Sequence, residues 1–239
     1  MDANPLISFV LIAFKQECYI REAVRGALAQ TYSPLEIILS DDCSPDRTFQ
    51  IMQEEAALYT GPHEVRLLRD AENHGLAGHC NRAFGAARGE ILVIAAGDDV
   101  SLPVRTASLF KLYDDPSVQS AFSNALIIDE EGKPGEPWFP VSWRADFNSY
   151  PLIVSRSHTP MVLGATNSIR KKVWQSFPEL LQGVQQEDVV LALRARLLGK
   201  IAYAPECLVR YRQHGANLYS VATGRINVGE ARSKMNRRA

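Results

Sequence analysis

The sequence predicts an α/β domain with a mostly parallel central sheet and helices on both of its faces. Three observations predict it. Short continuous apolar runs alternate with stretches whose apolar residues recur every three to four positions. Two of the apolar runs end directly in paired aspartates, Asp41-Asp42 and Asp98-Asp99. The 239 residues, 46% hydrophobic and 22% charged, suffice for one substantial folded core.

Taken in order, Leu6 to Ala13 is a continuous apolar run, the pattern of a strand covered on both faces. A helix is expected from about Glu17 to Ala29, with Ile20, Val24 and Leu28 on one side. Leu35 to Leu39 is a second strand. Ser44-Pro45 then reads as a helix start, Ser44 as N-cap and Pro45 at the first helical position. Val65 to Leu68 is a third strand. Leu76, Cys80, Ala83, Phe84 and Ala87 form a helical stripe, with Gly89 closing it. Ile91 to Ala95 is a fourth strand and runs into Gly97-Asp98-Asp99.

The second half is less regular. Gln119 to Ile128 and Met161 to Ile169 read as strands, with a Gly- and Pro-rich connection over 129–140. A helix is expected from Asp188 to Leu198, closed by Gly199, then short strands at 201–204 and 207–211. Repeats and low-complexity linkers are absent, so residues 1–223 read as one domain. Residues 224–239 form a basic tail.

Composition excludes several classes. A formal net charge of -1 gives no field that would gather nucleic acid. Cys18, Cys43, Cys80 and Cys207 form neither a CxxC pair nor a zinc spacing, and read as reduced thiols of a cytoplasmic protein. The N-terminus lacks the basic start and apolar run of a signal peptide, and no stretch is long and apolar enough to cross a bilayer.

Four clusters could carry chemistry. In an open α/β sheet, ligands sit beyond the carboxyl ends of the strands, where both aspartate pairs fall. Each pair could be a solvated turn. Asp98-Asp99 could equally hold a hard divalent cation bridged to a diphosphate, and a carboxylate at 41–42 could accept the ring N–H of a uracil. Gln186-Glu187-Asp188 opens a helix, so Asp188 reads either as an N-cap or as a general base. His214 lies beside Arg210 and Arg212, residues suited to a diphosphate.

The strings ISFVLIAFKQE, LEIILSDDCSPDRT, NHGLAGHCNRAFGAARGEILVIAAGDDVSLP, QEDVVLALR and VRYRQHGAN occur in one order. Together they resemble the family-2 glycosyltransferases, inverting enzymes of the GT-A (nucleotide-diphospho-sugar transferase) fold. The resemblance covers the chain to about Asn217, and implies a nucleotide-binding half over about 1–100 and an acceptor half over about 101–223. It implies that Ala13 and Phe14 contact the nucleobase, Asp42 accepts from uracil N3–H and Asp98 holds the ribose. Asp99 would ligate Mn²⁺ or Mg²⁺, His214 would approach the metal or diphosphate, and Asp188 would be the catalytic base. Arg82, Glu187 and Arg212 fall in the diphosphate or acceptor region. Three positions depart from the family pattern. Ala96 stands where a third acid is common, Phe14-Lys15 replaces Tyr-Asn, and Cys80 replaces a basic residue, with His79 before it and Arg82 after.

The implied reaction moves a sugar from a nucleotide-diphospho-sugar, UDP-linked by the Asp42 reading, to an acceptor hydroxyl with inversion. A saccharide or lipid-linked saccharide acceptor is expected, as in polysaccharide or glycoconjugate synthesis, with the basic tail contacting the inner face of the cell membrane. A nicotinamide-dependent oxidoreductase would need a GxGxxG loop, and Ala13-Phe14-Lys15-Gln16 contains no glycine. A nucleotidyltransferase would need a Gly-rich basic loop near the N-terminus. The remaining alternative is a catalytically impaired nucleotide-sugar-binding relative.

Overall fold

A computed structural model describes residues 4–140, 162–215 and 217. β1 (Ile7–Ala13), β2 (Leu35–Asp41), β3 (Glu64–Arg69) and β4 (Ile91–Ala96) lie in the order β3-β2-β1-β4, all parallel. Every residue of β1 and β2 is buried, because helices cover both faces. Successive strand residues point to opposite faces. Ile7, Phe9 and Leu11 therefore meet one core, packed with α1 (Ile20–Leu28), α2 (Thr48–Ala57) and α4 (Arg105–Phe110). Val10 and Ile12 meet the other, packed with α3 (Gly75–Ala86), α5 (Lys171–Gln175) and α6 (Glu187–Leu198).

The second half extends the same sheet. β5 (Val100–Ser101), β6 (Val118–Ile128), β7 (Pro134–Pro137), β8 (Asn167–Arg170) and β9 (Lys200–Arg212) complete a nine-stranded sheet among the described residues. Its order is β3-β2-β1-β4-β8-β6-β9-β5, with β7 pairing β6. β9 runs parallel to β6, whereas β8 is antiparallel to both β4 and β6, and β5 is antiparallel to β9.

Several expectations are corrected. Ser44 caps no helix: its Oγ accepts from Lys15 N (2.9 Å) and its N–H donates to Asp41 Oδ2 (3.0 Å), and α2 starts only at Thr48. Gly89 does not close α3, which ends at Ala86 with Ala87 already extended. A Cβ on Gly89 would lie 2.5 Å from Ser8 N, so the glycine permits close passage over β1. The strand expected over 161–169 is confined to 167–170 and is preceded by a 3₁₀ turn at Gly164–Thr166; Met161 is outside the described residues. The two short strands expected near the end are one, β9, with register shifts along its pairing to β6. β7 lies inside the stretch expected to be only turns. The basic tail, with its expected membrane contact, lies outside the described residues. No helix among the described residues is long and apolar enough to cross a membrane.

The edge away from the aspartate pairs is tied by Glu36 of β2. Its buried carboxylate accepts from Ser8 Oγ (2.5 Å), Arg88 N (2.6 Å), Arg88 Nε (2.8 Å) and Arg66 Nη1 (3.1 Å). Burial would raise its pKa, but these donors outweigh burial and hold it at about 2. A carboxyl depressed in the folded state contributes stability above its unfolded pKa and loses it as pH falls through the folded value. Glu36→Gln should therefore lower stability at neutral pH by about 1.5–3 kcal/mol. It should also flatten the fall in melting temperature between about pH 4.5 and 2, measured by thermal melts across that range.

Candidate functional site

The carboxyl ends of β1, β2 and β4 bring three loops together. Ala13 ends β1, pairs in register with Asp41 and accepts from Asp42 N (3.0 Å) through its carbonyl. Phe14 follows, 38% exposed, with Lys15 Nζ 5.0 Å from its ring centre. Lys15 itself sits at φ 56, a left-handed turn that redirects the chain toward α1. Gln16 then reaches across to Asp98, Nε2 to Oδ2 at 3.4 Å.

Asp98, Asp99, Arg212 and His214 form the centre. His214 Nε2 lies 3.0 Å from Asp98 Oδ2, and the imidazole packs on Tyr19 with ring centres 4.7 Å apart. Asp99 is buried, and its Oδ1 accepts the backbone N–H of Arg212 at 2.7 Å. Burial, then the charge of Asp98, push the Asp99 carboxyl well above the usual carboxylate range. Among the described residues nothing donates to its Oδ2. An Asp99 oxygen without a donor, next in sequence to an Asp98 carboxylate that engages His214, fits one ligand position of a hard divalent cation that keeps phosphate or water as its others. Among the described residues no three His, Cys, Asp or Glu side chains already converge as a cage, so the protein offers a partial ligand set.

Arg212 does not face a diphosphate. Its side chain is buried, with Nε donating to Asp98 O (3.1 Å), Nη1 to Glu130 O (2.8 Å) and Nη2 to Glu22 Oε2 (2.8 Å), over the Tyr19 ring. It is the clamp of the acid pair. Arg82 is only partly engaged: its Nε bonds Asp70 Oδ1 at 2.5 Å, and its side chain stays 55% exposed. Of its neighbours in α3, Cys80 is buried and its thiol is pushed up by burial, and His79 is buried against Ser40 Oγ at 2.7 Å. The missing basic residue at position 80 is not supplied by either.

Asp42 also carries a load that the sequence did not suggest. Oδ1 accepts from His74 N (2.8 Å) and Oδ2 from Asn73 Nδ2 (2.9 Å), so its carboxylate shapes the turn entering α3. A base contact through Asp42 would share an oxygen already in use. The adjacent Asp41 is buried with an Oδ1 that has no partner.

At the start of α6 the N-cap position belongs to Gln186, and Asp188 lies one residue inside the helix. Asp188 accepts from Val189 N at Oδ1 (2.8 Å) and Gly164 N at Oδ2 (3.2 Å). A Cβ on Gly164 would come 3.1 Å from both Asp188 Cβ and Glu187 Oε1, so this residue type lets the turn approach the two acids. Burial raises Asp188 despite those two donors, the direction that strengthens a carboxylate as a base. Burial and the Asp188 charge push Glu187 up to about 8, so near neutrality Glu187 keeps its proton beside Asp188.

Sequence reasoning missed Gln16, Tyr19, Asn73, Gly164 and Asn217. Asn217 offered a signal, since it closes the RQHGAN string. Its Oδ1 accepts from His214 N (2.5 Å) and its Nδ2 donates to Arg212 O (3.0 Å), fixing the loop that carries the histidine. The others contribute as single residues in loops, with no spacing to mark them.

Comparison with known proteins gives consistent results. The profile of glycosyl transferase family 2 matches residues 8–177. An uncharacterized protein of Mycobacterium tuberculosis is 33% identical over 230 residues, 95% of this chain and 64% of that protein. The chain therefore spans less than two thirds of that relative. An uncharacterized glycosyltransferase of a Nostoc species is 26% identical over 236 residues, covering 95% and 71%. The mannosyltransferase PcManGT of Pyrobaculum calidifontis, solved with GDP-Man and Mn²⁺, superposes with TM-score 0.71 at 19% identity, covering 92% of this chain and 60% of that one. S. aureus TarS 1-349 with UDP-GlcNAc gives TM-score 0.67 at 19% identity, covering 90% and 60%.

The Glu187–Asp188 pair generates a test of its own. Between about pH 4.5 and 8 the folded chain keeps the Glu187 proton that the unfolded chain has lost, so stability falls as pH rises through this window. Glu187→Gln should remove that slope. Melting curves at pH 5, 6, 7 and 8 compare the two proteins, and parallel slopes would reject the assignment.

Proposed function

The chain belongs to glycosyl transferase family 2, and on that premise we propose that it transfers a sugar from a nucleotide-diphospho-sugar to an acceptor hydroxyl with inversion. The observation that carries this reading is the Asp98–His214 pair with the neighbouring Asp99 at the end of β4, and the Asp188 carboxylate presented at the start of α6. This divides the labour as a single in-line displacement requires, leaving-group stabilisation at one turn and a base at another.

In this reading Ala13 and Phe14 border the nucleobase, and Asp98, oriented by Gln16 and His214, meets the ribose. Asp99, through its open Oδ2, and His214 would hold the cation. A bound Mn²⁺ or Mg²⁺ supplies Lewis-acid stabilisation of the leaving diphosphate. Asp188 takes the proton of the acceptor hydroxyl at the oxygen not engaged by the stronger backbone donor. Glu187, protonated beside it, keeps a second negative charge away from the base. The acceptor, a saccharide or lipid-linked saccharide, is assigned to the second half of the chain. The occupied oxygens of Asp42 leave the base open, so uridine and guanosine donors are both candidates.

A panel of UDP-, GDP-, TDP- and CMP-sugars, scored for transfer or hydrolysis with and without Mn²⁺, tests the proposal. Metal-dependent turnover of at least one donor is expected, and a protein that neither binds nor turns over any of them would overturn it. Asp99→Ala should abolish the Mn²⁺-dependent part of nucleotide diphosphate binding, read by calorimetry, with the fold kept and stability lowered by the about 1–3 kcal/mol that the unpaired Arg212 N–H costs. Titrations in which Mn²⁺ tightens binding equally in parent and variant would remove Asp99 from the cation.

Asp188→Asn keeps an oxygen for one of the two backbone donors but cannot take up a proton. Its transfer rate should fall by roughly 10²–10⁴-fold, with donor affinity preserved. Initial rates and donor titrations for parent and variant check this, and a variant within a few-fold of the parent would refute the base.

A further inference from the structure

Among the described residues Arg105, in the first turn of α4, is the largest side chain with no solvent exposure. No carboxylate bonds to it. Nη1 donates to Ser101 Oγ (2.8 Å), Nη2 donates to Ile94 O (2.6 Å) and Asn167 O (3.3 Å), and Nε has no partner. Burying a cation without a bonded counter-ion is expensive. An apolar residue would fill the same space more cheaply, but only a planar fork reaches several acceptors in fixed directions.

Where those acceptors lie is informative. The β4–β8 ladder pairs Ile91 with Arg170, Leu92 with Ile169 and Val93 with Ser168, and then stops. The next residues outward are Ile94 and Asn167, and theirs are the two carbonyls that Arg105 takes. The guanidinium thus fills the fork at which β4 parts from β8. Ile94 precedes the acid pair, Ser101 follows it, and both are held by the same rigid group.

We propose that Arg105 is a positioning residue for the Asp98–Asp99 turn, bridging the backbone before the acid pair to Ser101 after it and so fixing the carboxylates where a cation can be received. The inference rests on the glycosyltransferase reading above. Electrostatics agree with the placement. Burial lowers Arg105 to about 9, and the charge that opposes this fall is Asp99, to which no hydrogen bond connects it. Arg105 therefore favours an ionised Asp99 without occupying its oxygens.

Arg105→Lys and Arg105→Met separate this role from mere core filling. Lys keeps the charge and most of the volume but cannot hold Ile94 O, Asn167 O and Ser101 Oγ together. Calorimetry of UDP and GDP with and without Mn²⁺ is the first measurement, and amide hydrogen exchange over residues 97–101 without metal or nucleotide is the second. Both variants should lose at least about tenfold of the Mn²⁺-dependent tightening, a larger loss than in metal-free nucleotide binding, which the turn reaches only through Asp98. Exchange over 97–101 should be faster while the β1 and β2 amides stay protected. If Arg105→Met fails to fold, the Lys variant carries the test. An Arg105→Lys protein with the parent's Mn²⁺ response and exchange would overturn the proposal. A parent without any Mn²⁺ response would instead count against the functional reading, and exchange over 97–101 alone would then decide for or against Arg105.

Discussion

A buried guanidinium has five N–H donors to satisfy without water, and Arg212 directs four of its own at the parts that make up this site, Nη1 reaching the Asp129 carbonyl as well as its neighbour's. Its side chain takes the Asp98 carbonyl, the Glu130 carbonyl and the Glu22 carboxylate, its backbone N–H takes Asp99, and its face covers Tyr19. Tyr19 in turn supports His214, and Asn217 ties the histidine loop back to the Arg212 carbonyl. β9, α1, the β4–β5 turn and the 129–130 turn are thereby joined at one residue. The carboxylates can then sit close together in a place where their repulsion would otherwise open the turn.

Three acid pairs recur at loop starts, and burial treats each differently. In Asp41-Asp42 protein groups take up the charge, Ser44 N and the Arg69 guanidinium at Asp41 Oδ2 and the Asn73–His74 turn at Asp42, although Asp41 Oδ1 has no partner. In Asp98-Asp99 one oxygen of the inner residue is left without a donor, which keeps the pair short of positive charge. In Glu187-Asp188 burial raises both, and Glu187 most clearly, to about 8. Adjacent carboxylates are thus a single sequence feature with three electrostatic outcomes, decided by how many N–H groups the fold turns toward them.

That division explains what the sequence could reveal. β1, β2 and β4 were legible because a strand covered on both faces must be continuously apolar, and the pattern survives in a single chain. α6 was legible to within a residue. Asp98-Asp99 and His214 were found through their motifs, but the work of Arg212 was not. A charged residue near a motif looks the same whether it faces ligand or interior. Ser44-Pro45 shows the same limit: local preference favoured a helix cap, and tertiary bonds to Lys15 and Asp41 prevailed. Short elements such as α4, α5 and β7 carry too few residues for a period to emerge. Gly164 and Asn73 act through backbone position or one side-chain bond, which composition does not record.

The strand order has a mechanical consequence. β4 and β5 are separated in the chain only by Gly97, Asp98 and Asp99, yet β8, β6 and β9 lie between them in the sheet. Four strand spacings across a flat sheet would amount to about 19 Å, whereas the four residue steps from Ala96 to Val100 can span at most about 14 Å. The sheet has to curl toward itself, and the acid pair is the chord drawn across that arc. Any motion that flattened the arc would pull on the chord first. The curvature of the whole second half is therefore set by the reach of the three residues that hold the candidate cation site.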